Sequence, residues 1–77
     1  MENQIFEQVA DVIRKVLKQP KLEVTMETSS ENVEGWDSLH HMMIITEVET
    51  VFNLKFDFMQ ILDIKSVGDI CKTVKQQ

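Results

Sequence analysis

The chain has 77 residues, which suits one small domain, and residues 1–77 are predicted to form it. A domain of this size buries only about 60% of the surface that its unfolded form exposes, so an enclosed active site has little room. The net charge of −5 disfavours nucleic acid as a partner. No apolar run approaches the ~20 residues that a membrane span requires, so no membrane span is expected.

Acidic side chains are concentrated in the middle of the chain. Between Leu22 and Leu54 there is no lysine or arginine. The same stretch contains Glu23, Glu27, Glu31, Glu34, Asp37, Glu47 and Glu49. This distribution favours contact with basic protein surfaces, although a solvated face that only keeps the protein soluble is an equal alternative.

Cysteine content and the N-terminus indicate the compartment. Cys71 is the single cysteine and cannot form an internal disulfide, which is typical of a protein in a reducing compartment. The first four residues are acidic and polar, unlike a secretory signal. A cytoplasmic location is therefore expected, with Cys71 buried and inert on the apolar face of the last helix.

The first predicted element is an amphipathic helix from about residue 3 to residue 18. Apolar residues recur there at helical spacing, and polar residues occupy the opposite face. Pro20 ends the helix, because the residue before a proline is pushed out of the helical region. Residues 20–36 lack a helical period and form a long connection, and long structured connections are often functional.

Three more helices are predicted after this connection. Asp37 is a suitable N-cap for a helix over about residues 38–52, which is apolar on more than one side and ends near Asn53. Asp57 and Gln60 form a capping-box pattern that begins a short helix. The last helix follows Ser66 and has apolar residues at helical spacing. The predicted fold is an all-α four-helix bundle with three principal helices and one short helix.

Ser38 is the candidate for chemistry, because it opens the second predicted helix. A serine in a first helical turn lies near solvent and near unpaired backbone N–H groups, and this end of the helix dipole favours a phosphate. Ser38 is thus well placed to carry a phosphodiester-linked group. The alternative is that Asp37 and Ser38 are only a capping pair.

The wider pattern resembles the acyl carrier protein family from about Ile5 to Val74. The resemblance is carried by Asp37-Ser38-Leu39 at the start of an apolar helix and by the glutamate-rich end of that helix, Glu47 to Phe52. Phe56-Asp57 and the segment from Asp63 to Ile70 complete it. The triplet is weak alone, and the combination is specific.

The resemblance implies a non-catalytic carrier. Ser38 would receive a 4′-phosphopantetheine arm from coenzyme A through a separate magnesium-dependent phosphopantetheinyl transferase, and the arm's thiol would hold acyl groups as thioesters. Asp37 matches the acid that helps to place the metal during this transfer, and Leu39 completes the attachment motif. The cargo would then pass to enzymes of fatty-acid, polyketide or related biosynthesis.

Partner enzymes with basic surfaces are expected to dock on a monomeric carrier at Glu47, Glu49, Met43, His41 and Trp36. Met43 departs from many fatty-acid carriers, which have an acid five residues after the serine. Gly35-Trp36 before the motif resembles carriers of specialised pathways. Both departures bear on the pathway and leave the carrier role intact.

Other residues are assigned structural roles. His40 and His41 are not expected to bind a metal, because adjacent helical residues point in different directions and no third ligand is evident. Solvent exposure is expected for His40, and anchoring of the loop is the default role for Trp36, with contact to partners as the other possibility. The methionines at positions 42, 43 and 59 are predicted to fill the core, or alternatively to line a pocket for an acyl chain.

Two other functions remain open. An aminoacyl or peptidyl carrier would use Ser38 in the same way but with a different cargo. A helical interaction module without a prosthetic group would share the acidic surface but would not need Ser38. A serine hydrolase is disfavoured, because the G-x-S-x-G elbow and its preceding strand are absent from the sequence.

Overall fold

The computed structural model describes residues 2–76, and the side chains from residue 4 onward. It contains four α-helices: α1 (Glu2–Leu17), α2 (Ser38–Phe52), α3 (Phe58–Asp63) and α4 (Val67–Lys75). The predicted all-α bundle of three principal helices and one short helix is confirmed. The described residues contain no strand, only an isolated bridge between Ser29 and Ser66. Met1 and Gln77, the ends of the predicted domain, lie outside the described residues.

The core is centred on α1, which packs against both α2 and α4. Its largest fully buried side chains are Ile13, Ile44, Ile45, Ile70, Val9, Val48 and Val67. They lie on the apolar positions that recur at helical spacing in these three helices. The short helix α3 contributes no buried residue, so it is the helix least firmly held by packing. Within residues 2–76, no helix is long and apolar enough to cross a membrane.

Both long helices end in a left-handed residue. Lys18 has φ = 58°, and the amide of Gln19 bonds the carbonyl of Arg14 at 2.9 Å, which closes α1 at Leu17, one residue before its predicted end. Asn53 has φ = 54° and ends α2 where the sequence predicted. The closure at Lys18 precedes Pro20, so the proline follows the helix end instead of causing it directly.

Side chains of α1 and the residues after it fasten the long connection. The guanidinium Nε of Arg14 donates to the carbonyl of Leu22 at 2.8 Å. Further along, the amide Nε2 of Gln19 donates to the carbonyl of Glu34 at 2.8 Å. Gly35 then turns the chain with φ = 93°, a conformation that residues with a Cβ rarely adopt. The last residues before α2 are thereby held in place.

The connection also caps α4. The amides of Val67 and Gly68, in the first turn of α4, donate to the carbonyls of Thr28 and Met26 at 2.9 and 2.8 Å. These amides have no partner inside their own helix. A Cβ at Gly68 would lie 3.1 Å from the Met26 oxygen, so a larger residue there would push the connection away by a few tenths of an ångström. The connection is therefore a structured part of the bundle.

The predicted helix starts are confirmed. In the capping box of α3, the amide of Gln60 donates to Asp57 Oδ1 at 2.8 Å and the amide of Asp57 donates to Gln60 Oε1 at 2.9 Å. Ser66 Oγ accepts from the amide of Asp69 at the start of α4. Cys71 is a free, buried cysteine as predicted, and burial raises the pKa of its thiol, which keeps the thiol protonated.

Candidate functional site

Ser38 is the first residue of α2 and is exposed to solvent. Asp37 caps the helix: its Oδ1 accepts from the backbone amide of His40 at 2.8 Å, and the same oxygen lies 2.7 Å from His40 Nδ1. Both contacts end on Oδ1, which leaves Oδ2 available to a further ligand. The hydroxyl of Ser38 thus lies beside a fixed carboxylate and the positive end of a helix dipole.

The hydrogen bonds from His40 hold the pKa of Asp37 below its ordinary value of 3.8, with the backbone amide the larger cause and the imidazole the second. Asp37 is consequently ionised throughout the neutral range. The prediction that His40 is simply solvent-exposed is wrong, because about one third of its side chain is exposed (33%) and its ring is fixed on Asp37. The sequence of a helix start predicts the backbone cap but not the additional contact between the His40 ring and the Asp37 carboxylate.

Trp36 is buried and bonded to His41. Its indole Nε1–H donates to His41 Nδ1 at 3.1 Å, and the two rings are 6.0 Å apart between centroids at an interplanar angle of 24°. Since Nδ1 accepts this bond, the imidazole is neutral and carries its proton on Nε2. Desolvation by burial lowers the pKa of His41, partly offset by a hydrogen bond to the backbone of Ile61 in α3.

These contacts correct the docking role predicted for Trp36. Only 3% of the residue is exposed, so its ring anchors the connection and cannot form a contact surface for a partner. His41 is half-buried between Trp36 and Ile61, which limits its contribution to docking. Sequence reasoning placed His41 on the same side of the helix as Ser38 but missed its partner five residues earlier.

A groove of about 490 Å³ lies beside Ser38. It is lined by Ser30, Trp36, Asp37, Ser38, His41, Met42, Ile61, Leu62 and Ile64. Its polar lining comes mainly from the connection and the start of α2, whereas its apolar lining comes mainly from Trp36, Met42 and the α3 region. Five residues that the sequence singled out, namely 36, 37, 38, 41 and 42, therefore meet at one site.

The two predicted acidic docking residues lie at the other end of α2. Glu47 pairs with Lys15 of α1, with 3.0 Å between Oε2 and Nζ. Glu49 Oε2 accepts from the backbone amide of Phe56 at 2.8 Å and so ties the end of α2 to the segment before α3. Both carboxylates have partners within the bundle, and neither lines the groove.

Leu39 and Met43 are exposed on α2, so both are accessible to a partner. Met42 and Met59 are also exposed, which makes the prediction that the three methionines of α2 and α3 fill the core wrong. The core is already filled by Ile44, Ile45 and Val48 from the opposite side of α2. Among the described residues, no group of three or more His, Cys, Asp or Glu side chains could hold a metal ion.

Comparison with known families decides the class of the chain. Residues 7–74 match the family described as "Phosphopantetheine attachment site". The chain belongs to the acyl carrier protein family. Its prosthetic group is accordingly 4′-phosphopantetheine, on which a carrier of this family holds acyl groups.

Curated relatives agree with this assignment over nearly their full length. The carrier is 39% identical over 71 residues to the acyl carrier protein of Lactococcus lactis subsp. cremoris, covering 92% of this chain and 93% of the relative. It is 32% identical over 73 residues to the acyl carrier protein of Streptococcus pneumoniae, covering 95% of both chains.

Solved structures match the fold. The holo acyl carrier protein from Geobacter metallireducens superposes with a TM-score of 0.84 at 30% identity, covering 92% of this chain and 82% of that chain. A putative acyl carrier protein from Mycobacterium tuberculosis gives 0.85 at 28% identity, covering 94% and 96%. The carrier therefore shares both the fold and the sequence pattern of the family.

Proposed function

We propose that Ser38 is the residue that receives the phosphopantetheine arm in this carrier. The observation that carries the proposal is the exposed Ser38 at the start of α2, next to an ionised Asp37 and at the edge of the groove. A phosphodiester at this position lies at the favourable end of the helix dipole. Leu39 follows as the third residue of the attachment motif.

The residues present fit such a group. The first amides of α2 have no intrahelical acceptor, which suits a phosphate on the Ser38 oxygen. Asp37 keeps its cap through Oδ1 while Oδ2 can contact a magnesium ion that a transferase brings. Ser38 needs no lowered pKa, because the transferase supplies the base that takes the hydroxyl proton. When attached, the arm supplies a terminal thiol that holds the acyl group as a thioester.

The groove supports an acyl cargo over an aminoacyl one. Beyond Ser38 its lining is largely apolar, with Trp36, Met42 and Ile61 among the residues that form it. The carrier itself supplies no catalytic group in this proposal, and a separate phosphopantetheinyl transferase and later biosynthetic enzymes act on it. It works as a cytoplasmic monomer, which the net charge of −5 and the reduced, buried Cys71 support.

Mass spectrometry of the intact protein tests this assignment. Co-expression with a phosphopantetheinyl transferase is expected to add the mass of one arm to the wild type. Ser38→Ala should abolish the addition, whereas Ser30→Ala, which changes another serine of the groove, should leave it intact. Asp37→Asn keeps a capping side chain but loses the charge, so loading should slow without loss of helix.

Two results of the mass measurement would contradict the assignment of Ser38. Addition of the arm to Ser38→Ala would show that another residue carries it. A wild type that several transferases fail to modify would show that the carrier is not loaded at all, and would favour the interaction module without a prosthetic group.

A further inference from the structure

His40 holds the carboxylate of Asp37 through two contacts at the start of α2. Its backbone amide and its imidazole Nδ1 lie 2.8 and 2.7 Å from the same oxygen, Asp37 Oδ1. An ionised carboxylate only accepts hydrogen bonds, so the proton between the two side chains belongs to His40 Nδ1. The imidazole is therefore a donor to Asp37, and the short separation is typical of a charge-assisted hydrogen bond.

The neighbouring histidine uses its Nδ1 in the opposite way. His41 Nδ1 accepts the indole proton of Trp36, whereas His40 Nδ1 donates to Asp37. Trp36 and Asp37 are the two residues directly before Ser38, so each imidazole holds one of them. The contact of His41 is with a buried ring, but the contact of His40 is with an exposed carboxylate beside the attachment residue. Only the second contact therefore acts on a group that can bind a metal ion.

The imidazole controls a property of Asp37 that the backbone cap does not. The cap satisfies the helix start, and it persists with any residue at position 40 except proline. However, 65% of the Asp37 side chain is exposed, so water competes for a single bond and the carboxylate could sample other rotamers. A second donor on the same oxygen keeps the carboxylate in one orientation. Both donors occupy Oδ1, which leaves Oδ2 free of these contacts.

Histidine suits this contact better than lysine or arginine. A permanent cation beside Asp37 would repel the Mg²⁺ ion that the carboxylate has to meet during arm transfer. An imidazole can donate from Nδ1 without carrying a full charge. The sequence has no lysine or arginine between Leu22 and Leu54, and among the described side chains no permanent cation pairs with Asp37. Asp37 is thus oriented by a donor that leaves its negative charge available.

We propose that His40 is a positioning residue for arm attachment: its Nδ1–H holds Asp37 through Oδ1, so that Oδ2 is presented to the Mg²⁺ ion that the transferase brings. The inference rests on the proposed attachment at Ser38. In that transfer the Ser38 oxygen bonds to the phosphorus of the pantetheine phosphate. The bond from that phosphorus to the nucleotide of coenzyme A breaks, the nucleotide leaves with the electron pair, and the hydroxyl proton passes to the base of the transferase.

His40 takes no part in these bond changes, and its effect is on the metal. Groups that hydrogen-bond a metal-binding carboxylate orient it, and their loss typically lowers metal affinity about 10–100-fold. Since the pair of His40 and Asp37 is partly exposed, and since the backbone cap remains without the imidazole, the expected effect is smaller. Loss of the Nδ1 donor should raise the magnesium requirement of loading about three-fold or more, as expected when one of three staggered rotamers is no longer selected.

Loading kinetics at saturating carrier and coenzyme A, with a purified phosphopantetheinyl transferase and Mg²⁺ as the variable, test the proposal. His40→Phe keeps a planar ring but removes the donor, and His40→Ala removes the ring as well. In both, the half-saturating Mg²⁺ concentration should rise about three-fold or more, while kcat at saturating Mg²⁺ stays within about two-fold. The matched control is His40→Asn, whose amide Nδ2–H lies at nearly the same place as Nδ1–H and should keep the requirement within about two-fold of the wild type.

Nuclear magnetic resonance of the free carrier gives a readout that needs no transferase. The scalar couplings between Hα and the two Hβ atoms of Asp37 report its χ1 angle. The wild type and His40→Asn should show the couplings of one rotamer, whereas His40→Phe should show couplings averaged over several. Circular dichroism would verify that each variant keeps its helices, as the retained backbone cap predicts.

Three results would overturn the role of His40 while leaving Ser38 as the loaded residue. The first is an equal magnesium requirement for the wild type, His40→Phe and His40→Ala. The second is a lower requirement in His40→Phe, which would mean that the imidazole competes with the metal. The third is an equal loss in His40→Asn and His40→Phe, which would mean that the Nδ1 donor is not the cause. A wild type that is never loaded would overturn the Ser38 assignment and this inference together.

Discussion

His41 joins three parts of the molecule at the edge of the groove. Its Nδ1 accepts the indole proton of Trp36, and its ring also bonds the backbone of Ile61 in α3. Trp36 lies two residues before Ser38, so the contact fixes the end of the connection from which the attachment residue emerges. A protonated imidazole would present a donor to the Trp36 donor, and the contact would be lost.

The stability of the carrier is expected to depend on pH through His41. The pKa of His41 in the folded state is lower than its ordinary value of 6.5, so the unfolded chain binds the proton more tightly. The contribution of His41 to the free energy of unfolding is complete above its ordinary pKa of 6.5. It is lost as pH falls through the lower pKa of the folded state. The free energy of unfolding, measured by urea titration with fluorescence of Trp36, the single tryptophan, should therefore decrease from neutral pH toward about pH 5.

His41→Asn is the matched variant for this measurement. Its side-chain oxygen can accept from Trp36 at nearly the same place as Nδ1, but it does not titrate. Its stability should change less than that of the wild type over the same pH interval. The capping carboxylate of Asp37 does not interfere, because its pKa is lowered in the folded state, so its contribution to stability is retained above its ordinary value of 3.8 and is lost only as pH falls below that value. Parallel curves for the two proteins would contradict the role of His41.

Among the elements, α3 has the weakest support. It is six residues long and contributes no fully buried residue, so it is held by the packing of half-buried Ile61 on the core, the capping box of Asp57 and Gln60 and the contact from His41. An isolated helix of this length does not form in water. One wall of the groove is therefore the part of the bundle that opens most easily, which suits a site that must admit and release cargo.

The end of α1 allows a prediction about an element boundary. Lys18 adopts a left-handed conformation with φ = 58°, which costs a residue with a Cβ about 1–2 kcal/mol. Glycine adopts it freely but loses more entropy on folding, by about 0.5–1 kcal/mol. Lys18→Gly should consequently raise the free energy of unfolding by about 0.5–1 kcal/mol, measured by urea denaturation.

Lys18→Ala separates the backbone effect from loss of the lysine side chain. Alanine retains the Cβ and with it the strain, so this variant should not gain the stability of Lys18→Gly. Equal stabilisation by both substitutions would mean that removal of the charge, and not relief of the backbone, is responsible.

Helix boundaries were predictable because their causes are local in sequence. Asp37, Asn53, Asp57 and Ser66 each act on amides or dihedral angles within a few residues, and the structure places all of them at helix ends. The attachment motif is local as well. The exposed methionines were not predictable in this way, because a helix apolar on several sides does not reveal which side the other helices cover.

At the scale of the whole molecule, contacts between residues distant in sequence determine the surroundings of the acidic side chains and of the groove, and these contacts could not be predicted from the sequence. Glu47 meets Lys15 across 32 positions, and Glu49 meets an amide seven residues later, so both carboxylates that are expected to meet a partner also connect parts of the bundle. The groove likewise combines residues from the connection, α2 and the α3 region. Composition indicated an acidic surface, but only the packing shows which acids are engaged.

The glutamates of the connection between α1 and α2 differ from Glu47 and Glu49 in having no ionic partner among the described side chains. Glu23, Glu27, Glu31 and Glu34 are all exposed, and none takes part in an ion pair among the described side chains. With a net charge of −5, these like charges repel one another and favour the expanded, unfolded chain. Salt screens this repulsion within a Debye length of about 10 Å at 0.1 M.

Raising the sodium chloride concentration from about 0.02 to about 0.2 M should therefore raise the Tm of the carrier by about 2–4 °C, which corresponds to about 0.5 kcal/mol in a domain of this size. The double variant Glu31→Gln and Glu34→Gln removes two of the repelling charges, so its Tm should be higher at low salt and should rise less as salt is added. Calorimetry at both concentrations would measure the difference. A Tm that falls with salt would instead show that attractive pairs such as Arg14 with Asp11 and Lys15 with Glu47 outweigh the repulsion. That result is disfavoured, because exposed pairs of this kind contribute only about 0–1 kcal/mol each and salt weakens them only in part.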